Sequence, residues 1–143
     1  MIKMRLTIML VVVLIWVGPV WGRDDGGKKY NAPADIVVTL PKICWWFYMD
    51  NVPNTPEYNI RVTCGINSNH YCPGLVHMKQ AEREKTTGAR LERLRRAKED
   101  MEYTLRLVRS NANPECTVLP TAKMNLDFIN LRLELLNEKT QKR

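Results

Sequence analysis

The four cysteines between residues 44 and 116 constrain the fold more than any other sequence feature. Their use depends on the compartment, which the N-terminus indicates. A short basic region precedes a nearly continuous apolar run over residues 6–17, and a glycine and a proline end that run. This pattern, followed by a small residue at Gly22, is typical of a secretory signal peptide cleaved before Arg23. The run is shorter than the roughly 20 residues that a membrane-spanning helix needs.

We therefore expect residues 1–22 to be a signal peptide and the mature chain to be secreted. In an oxidising compartment Cys44, Cys64, Cys72 and Cys116 are predicted to form two disulfides, for which three pairings are possible. The turn-rich sequence between Cys64 and Cys72 favours a local bridge, which leaves Cys44 to join Cys116. A zinc site is the alternative use of these thiols. The cysteines and histidines lack the paired spacing of structural zinc modules, so no metal is expected.

A polar leader follows the signal. Residues 23–29 are rich in glycine and charge, and Lys28 with Lys29 forms a dibasic pair of the kind that convertases cleave. We interpret residues 23–29 as a polar leader or propeptide ahead of one small disulfide-stabilised domain over residues 30–143. This layout resembles the general plan of secreted hormones and venom peptides.

The first part of that domain, residues 30–74, has the composition of a β-like cap. β-branched residues fill Ile36–Thr39, and an aromatic run fills Trp45–Tyr48. Apolar and polar side chains alternate along Tyr58–Cys64, which is the period of a strand. We expect a small antiparallel hairpin here.

The second part, residues 75–143, is predicted to form a helical hairpin. Good helix formers dominate Leu75–Ser110, and an interruption at Thr86–Gly88 predicts a short helix followed by a longer one. A second long helix is expected from Thr121, as its cap, to Lys139. The longer helix after Thr86–Gly88 carries an apolar stripe with heptad spacing, and Lys98 occupies the one position of the stripe that is not apolar. The apolar residues of the stripe are Leu91, Leu94, Met101, Leu105 and Val108. The predicted fold class is mainly α (α+β), with a C-terminal helical hairpin and a small N-terminal disulfide-linked segment of β character.

Catalysis is not expected from this sequence. The chain has two histidines and no recognisable nucleophile, phosphate-loop, dinucleotide-binding or zinc-protease motif. A hydrolase with an unfamiliar site would have to use His70 or His77. No cofactor is expected. Nucleic acid is a poor partner in spite of the net charge of +7, because the chain is predicted to be exported and its aromatic residues are not interleaved with its basic ones.

Two groups of residues are candidate contacts for a partner. The basic run Arg93, Arg95 and Arg96 can be a solvated helix face, a furin-type processing site cut after Arg96, or a contact for an acidic partner. Trp45 and Trp46 are adjacent, and neighbouring residues on a strand face opposite sides. One of the two is therefore expected to be exposed, where it could anchor a receptor or a membrane.

The leading functional hypothesis is a secreted extracellular effector, toxin-like or hormone-like, that binds a receptor or an ion channel. The first alternative is a membrane-active basic protein whose amphipathic helices lie on an anionic membrane surface. The second is an extracellular structural protein that assembles through the Leu91–Val108 stripe.

Overall fold

The computed structural model describes residues 30–110, 114 and 116–141. The predicted signal peptide and leader, residues 1–29, lie outside the described residues. The described part of the chain is mainly helical and contains no strand. Its elements, in chain order, are α1 (Ala34–Val37), a first 3₁₀ helix (Lys42–Phe47), α2 (Ile60–Cys64), a second 3₁₀ helix (Ile66–His70), α3 (Tyr71–Arg83), α4 (Thr87–Ser110) and α5 (Val118–Gln141).

The predicted helical hairpin is confirmed by α4 and α5, and α3 is the short helix before it. The boundary between α3 and α4 lies at the predicted interruption, where the Thr86 hydroxyl accepts a hydrogen bond from the Ala89 amide at 3.2 Å. Two bounds differ from expectation. α3 begins at Tyr71 instead of Leu75, and α5 begins at Val118 instead of Thr121. In each case a proline lies in the first turn of the helix, where it is tolerated because the amide there has no partner within the helix.

α4 is the central helix, because it packs against both α3 and α5. Its buried stripe follows the heptad spacing, with side chains at Leu94, Ala97, Met101, Thr104 and Val108. Lys98 is therefore not part of the stripe. The small residues Ala97 and Thr104 occupy the buried positions that the sequence pattern assigned to Lys98 and Leu105. The Thr104 hydroxyl donates a hydrogen bond to the Asp100 carbonyl at 2.9 Å.

α3 lies close against α4 at Gly74. A Cβ atom at this position would lie 2.9 Å from Met101 Cε and 3.1 Å from Asp100 Cβ. Both distances are below ordinary van der Waals separation, so a side chain at this position would force Met101 and the backbone near Asp100 to shift.

The predicted β hairpin is not found in residues 30–74. Ile36 and Val37 are buried on one turn of helix, and the aromatic run coils into the first 3₁₀ helix. Asn59 begins α2 by accepting a hydrogen bond from the Arg61 amide at 3.0 Å, which is a helix cap at the second residue of the predicted strand. Burial against α3 and α4 therefore outweighs the local β preference.

Two disulfides are present, as predicted, but the pairing differs from the favoured one. Cys44 joins Cys72, and Cys64 joins Cys116. The second 3₁₀ helix separates Cys64, at the end of α2, from Cys72, in the first turn of α3. Each sulfur therefore meets a partner from a distant segment, and the bridges tie the N-terminal segment to α3 and to the chain just before α5.

The buried residues form one core cluster that includes the N-terminal segment and the three long helices. Its largest fully buried side chains include Phe47, Ile36, Ile60, Met101 and Ile129. None of the helices in the described part of the chain combines the length and the apolar character that a membrane span requires.

Candidate functional site

The two adjacent tryptophans have different roles, although both are half-buried. The Trp45 indole N–H donates to the Leu40 carbonyl at 3.1 Å, and its ring stacks on Tyr58 with a centroid distance of 6.2 Å. Trp45 is therefore engaged within the N-terminal segment. The expected strand-like split into one inward and one outward ring does not occur, because the pair lies on a 3₁₀ helix.

Trp46 lines an open depression of about 260 Å³. Its ring meets Phe47 edge to face at 5.3 Å, and its amide donates to the Tyr58 carbonyl at 3.0 Å. The depression is also lined by Asn54, Asn59, Arg61, Val62 and Ile66. Val62 is 45% exposed and Ile66 is 63% exposed. We call Trp46, Arg61, Val62 and Ile66 the Trp46 surface.

Covalent bridges hold the Trp46 surface in place. Cys44 precedes Trp46 by two residues, and Cys64 lies between Val62 and Ile66. Gly65 has a φ of 81°, a left-handed conformation that lets the chain turn sharply between α2 and the second 3₁₀ helix. The surface is therefore organised before any partner arrives, which lowers the entropic cost of binding.

The Asn54 and Asn59 side chains close the polar edge of the same depression. Asn59 Nδ2 donates to Asn54 Oδ1 at 2.5 Å, while Asn59 Oδ1 caps α2. This pair fixes the loop before α2 against the helix that carries Arg61 and Val62.

The basic run does not form one patch with Trp46. Arg93 is half-buried, forms an ion pair with Glu84 at 3.3 Å, and lines a different depression. Arg96 pairs with Glu92 at 2.9 Å, while Arg95 is exposed. Because successive helical residues are about 100° apart, Arg95 points away from the side that Arg93 and Arg96 share.

The proposed processing sites lie in different places. The bond after Arg96 is in the middle of α4, and the next residue, Ala97, is fully buried. Cleavage there would require local unfolding of α4. Gly22, Lys28 and Lys29 lie outside the described residues.

A carboxylate joins both histidines of the chain, an arrangement that the sequence analysis did not find. His70 Nδ1 lies 2.8 Å from Asp100 Oδ1, and His77 Nε2 lies 3.8 Å from Asp100 Oδ2. The His70 ring also packs on Tyr103, with centroids 4.0 Å apart. The sequence carries no local signal for this arrangement, because His70 precedes α3 and Asp100 is 30 residues further along the chain.

His77 contributes to a second depression, of about 200 Å³, with Tyr30, Tyr48, Gln80 and Arg93 among its lining residues. Burial lowers the pKa of His77, and the Asp100 carboxylate opposes that effect. Burial, followed by the charges of Tyr30 and Asp100, raises the pKa of Tyr48, so this phenol stays neutral.

In this histidine cluster, the described contacts do not pair a nucleophilic side chain with a histidine that could act as its base. Both ring nitrogens of His77 face protein groups, Asp100 on one side and Gln80 Oε1 at 3.3 Å on the other. The buried Ser68 hydroxyl donates its hydrogen bond to the Gly65 carbonyl at 2.6 Å and not to a histidine. Asp100 instead links α4 to the second 3₁₀ helix through His70 and to α3 through His77.

Metal ligation is also not indicated where the chain is described. Within residues 30–110, 114 and 116–141, no group of three or more His, Cys, Asp or Glu side chains is placed to hold a metal ion. Comparison of the chain with models of known protein families, with curated proteins and with solved structures found no match. The functional argument therefore depends on the geometry of the surfaces.

Proposed function

We propose that this protein is a secreted, disulfide-stabilised extracellular effector, toxin-like or hormone-like, that binds a receptor or an ion channel through the Trp46 surface. The two disulfides are compatible with an extracellular location. The binding role is supported by one observation above all: a tryptophan, an arginine and two exposed aliphatic side chains line one depression on a segment held by both bridges.

This composition matches that of energetic centres in protein interfaces. Tryptophan and arginine are enriched where single side chains contribute most to binding, and surrounding aliphatic groups exclude water from them. Val62 and Ile66 provide such a surround, because each exposes about half of its surface or more. Truncation of Trp46 is therefore expected to cost about 2 kcal/mol or more, which is roughly a thirtyfold loss of affinity.

Charge indicates the kind of surface that the partner presents. Removal of the predicted signal peptide with Lys3 and Arg5 lowers the net charge from +7 to +5 (20 − 15), and Arg61 lies in the depression itself. An acidic receptor face or channel vestibule would attract such a protein and pair with Arg61. Binding is then expected to weaken as the salt concentration rises.

The test is saturable binding of the fluorescently labelled secreted protein to a panel of intact cells, with unlabelled protein as competitor. Ile66→Asp is expected to abolish competable binding without unfolding the chain, since Ile66 is 63% exposed. The matched control is Val38→Asp, because Val38 is 61% exposed and is not part of the Trp46 surface. Equal binding of the two variants, or no competable binding to any cell type, would contradict the proposal.

A further inference from the structure

α5 carries apolar side chains on two opposite faces, and only one of them is buried in the described part of the chain. The inner face includes Ala122 and Ile129, which are fully buried. The outer face is exposed to 64%, 42%, 53% and 46% at Met124, Phe128, Leu131 and Leu135, respectively. An amphipathic helix on a protein surface normally presents polar residues outward, so this outer face lacks a partner.

The outer face has the size and the spacing of a helix-binding stripe. Its four side chains expose on the order of 400 Å² of apolar surface, which matches the largest patches of monomers, and such patches are often functional. The residues are separated by four, three and four positions, which is the a/d pattern of a two-helix coiled coil. The expected occupant is therefore another helix.

The charges beside the stripe identify which helix fits. With Met124 and Leu131 at d positions, the g positions hold Asp127 and Glu134, and the e positions hold the neutral Asn125 followed by Arg132 and Lys139. One flank is thus acidic and the other is basic. No ion pair involving these four residues is found among the described residues, although Arg132 lies over the Phe128 ring at 5.4 Å.

A second copy in parallel orientation satisfies both flanks. In a parallel pair, each g residue faces the e residue five positions later in the other helix. Asp127 would face Arg132 of the second copy, and Glu134 would face Lys139 of the second copy. In an antiparallel pair, the g positions would face each other and place Asp127 against Glu134, while the e positions would place Arg132 against Asn125 and leave it without an acidic partner.

We infer that this protein forms a parallel homodimer through the outer face of α5. This replaces the Leu91–Val108 stripe as the assembly surface, because Leu94, Met101 and Val108 are buried within the fold. A lipid surface fits less well, since anionic headgroups would repel the acidic flank at Asp127 and Glu134. The inference is independent of the proposed receptor contact, which lies on a different segment.

Sedimentation equilibrium of the chain that begins at Arg23 tests the dimer, over concentrations from low to high micromolar. The wild type is expected to approach twice the monomer mass as concentration rises. Leu131→Asp is expected to stay monomeric, with unchanged helical circular dichroism because the side chain is exposed. Ile66→Asp is the matched control and is expected to dimerise like the wild type. A wild type that is monomeric throughout, or a Leu131→Asp variant that still dimerises, would overturn the inference.

Orientation is tested by exchanging charges. Glu134→Lys places a lysine opposite Lys139 of the second copy. The variant is expected to weaken a parallel dimer roughly tenfold, because the two-fold symmetry of the dimer creates this repulsive pair on both sides. Adding Lys139→Glu restores opposite charges and is expected to recover the affinity. In an antiparallel dimer, Glu134→Lys would instead relieve repulsion between acidic flanks. Tighter association of the single variant would therefore overturn the parallel arrangement.

Discussion

The close crossing of α3 and α4 makes Gly74→Ala a sharp test of the fold. The new Cβ would lie 2.9 Å from Met101 Cε and 3.1 Å from Asp100 Cβ. The methionine end can swing away, but Asp100 Cβ is fixed to the backbone of α4, so the helices must separate by a few tenths of an ångström. Overpacking of this kind costs about 1–3 kcal/mol, while alanine gains at most about 1 kcal/mol over glycine in a helix. We expect a net loss of about 1 kcal/mol.

Gly88→Ala is the matched control, because Gly88 lies in the first turn of α4 with no atom within 4 Å of an added Cβ. This substitution is expected to leave the protein equally stable or to stabilise it by up to about 1 kcal/mol. Urea unfolding with the disulfides intact measures both variants, and their free energies of unfolding should differ by about 2 kcal/mol at an unchanged m-value. Equal stabilities of the two variants would refute the close crossing at Gly74.

Three further predictions concern a bridge, a titrating group and a cap. Replacement of Cys64 and Cys116 by serine opens a loop with a sequence separation of 52 and is expected to cost about 4 kcal/mol in urea unfolding, from the loop entropy of the unfolded chain. Because the pKa of His77 is lowered in the folded protein, the unfolded chain binds this proton at a higher pH than the folded one does. Stability should therefore fall as the pH drops below the ordinary value of 6.5. His77→Gln should lessen that fall in pH-dependent thermal unfolding. Asn59→Ala removes the cap of α2 and is expected to lower the free energy of unfolding by about 1 kcal/mol, with thermal unfolding as the measurement.

The long helices could be predicted because their local preference and their tertiary role agree. Helix formers and an apolar stripe both indicated α4, and the Thr86–Gly88 interruption marked where it begins. The pattern still missed Ala97 and Thr104, since neither residue type signals burial by itself. Their small size lets neighbouring helices approach, which only the packed structure reveals.

The N-terminal segment could not be predicted in the same way. Ile36 and its β-branched neighbours favour a strand locally, but Ile36 is fully buried on a helical turn, and the Cys44–Cys72 bridge ties the first 3₁₀ helix to α3. Disulfide pairing depends on which segments meet in space, so a turn-rich loop between two cysteines is weak evidence for a bridge between them. Tertiary contacts decided both features.

The candidate surfaces were partly visible in the sequence. Trp45 and Trp46 were singled out together without a choice between them, and the Arg61, Val62 and Ile66 side chains beside Trp46 come from α2 and the second 3₁₀ helix, whose helical form was not expected. The sequence of α5 does not by itself distinguish its outer apolar face from its inner one. Only the burial of Ile129 against the exposure of Leu131 separates the two.

The most direct test of the proposed function is photocrosslinking on intact cells with a photoreactive amino acid in place of Val62. A parallel protein carries the same group in place of Val38, which is 61% exposed and is not part of the Trp46 surface. We expect a discrete adduct with a cell-surface protein from position 62 alone, suppressed by excess unmodified protein. No adduct from position 62, or the same adduct from both positions, would contradict a partner bound at the Trp46 surface.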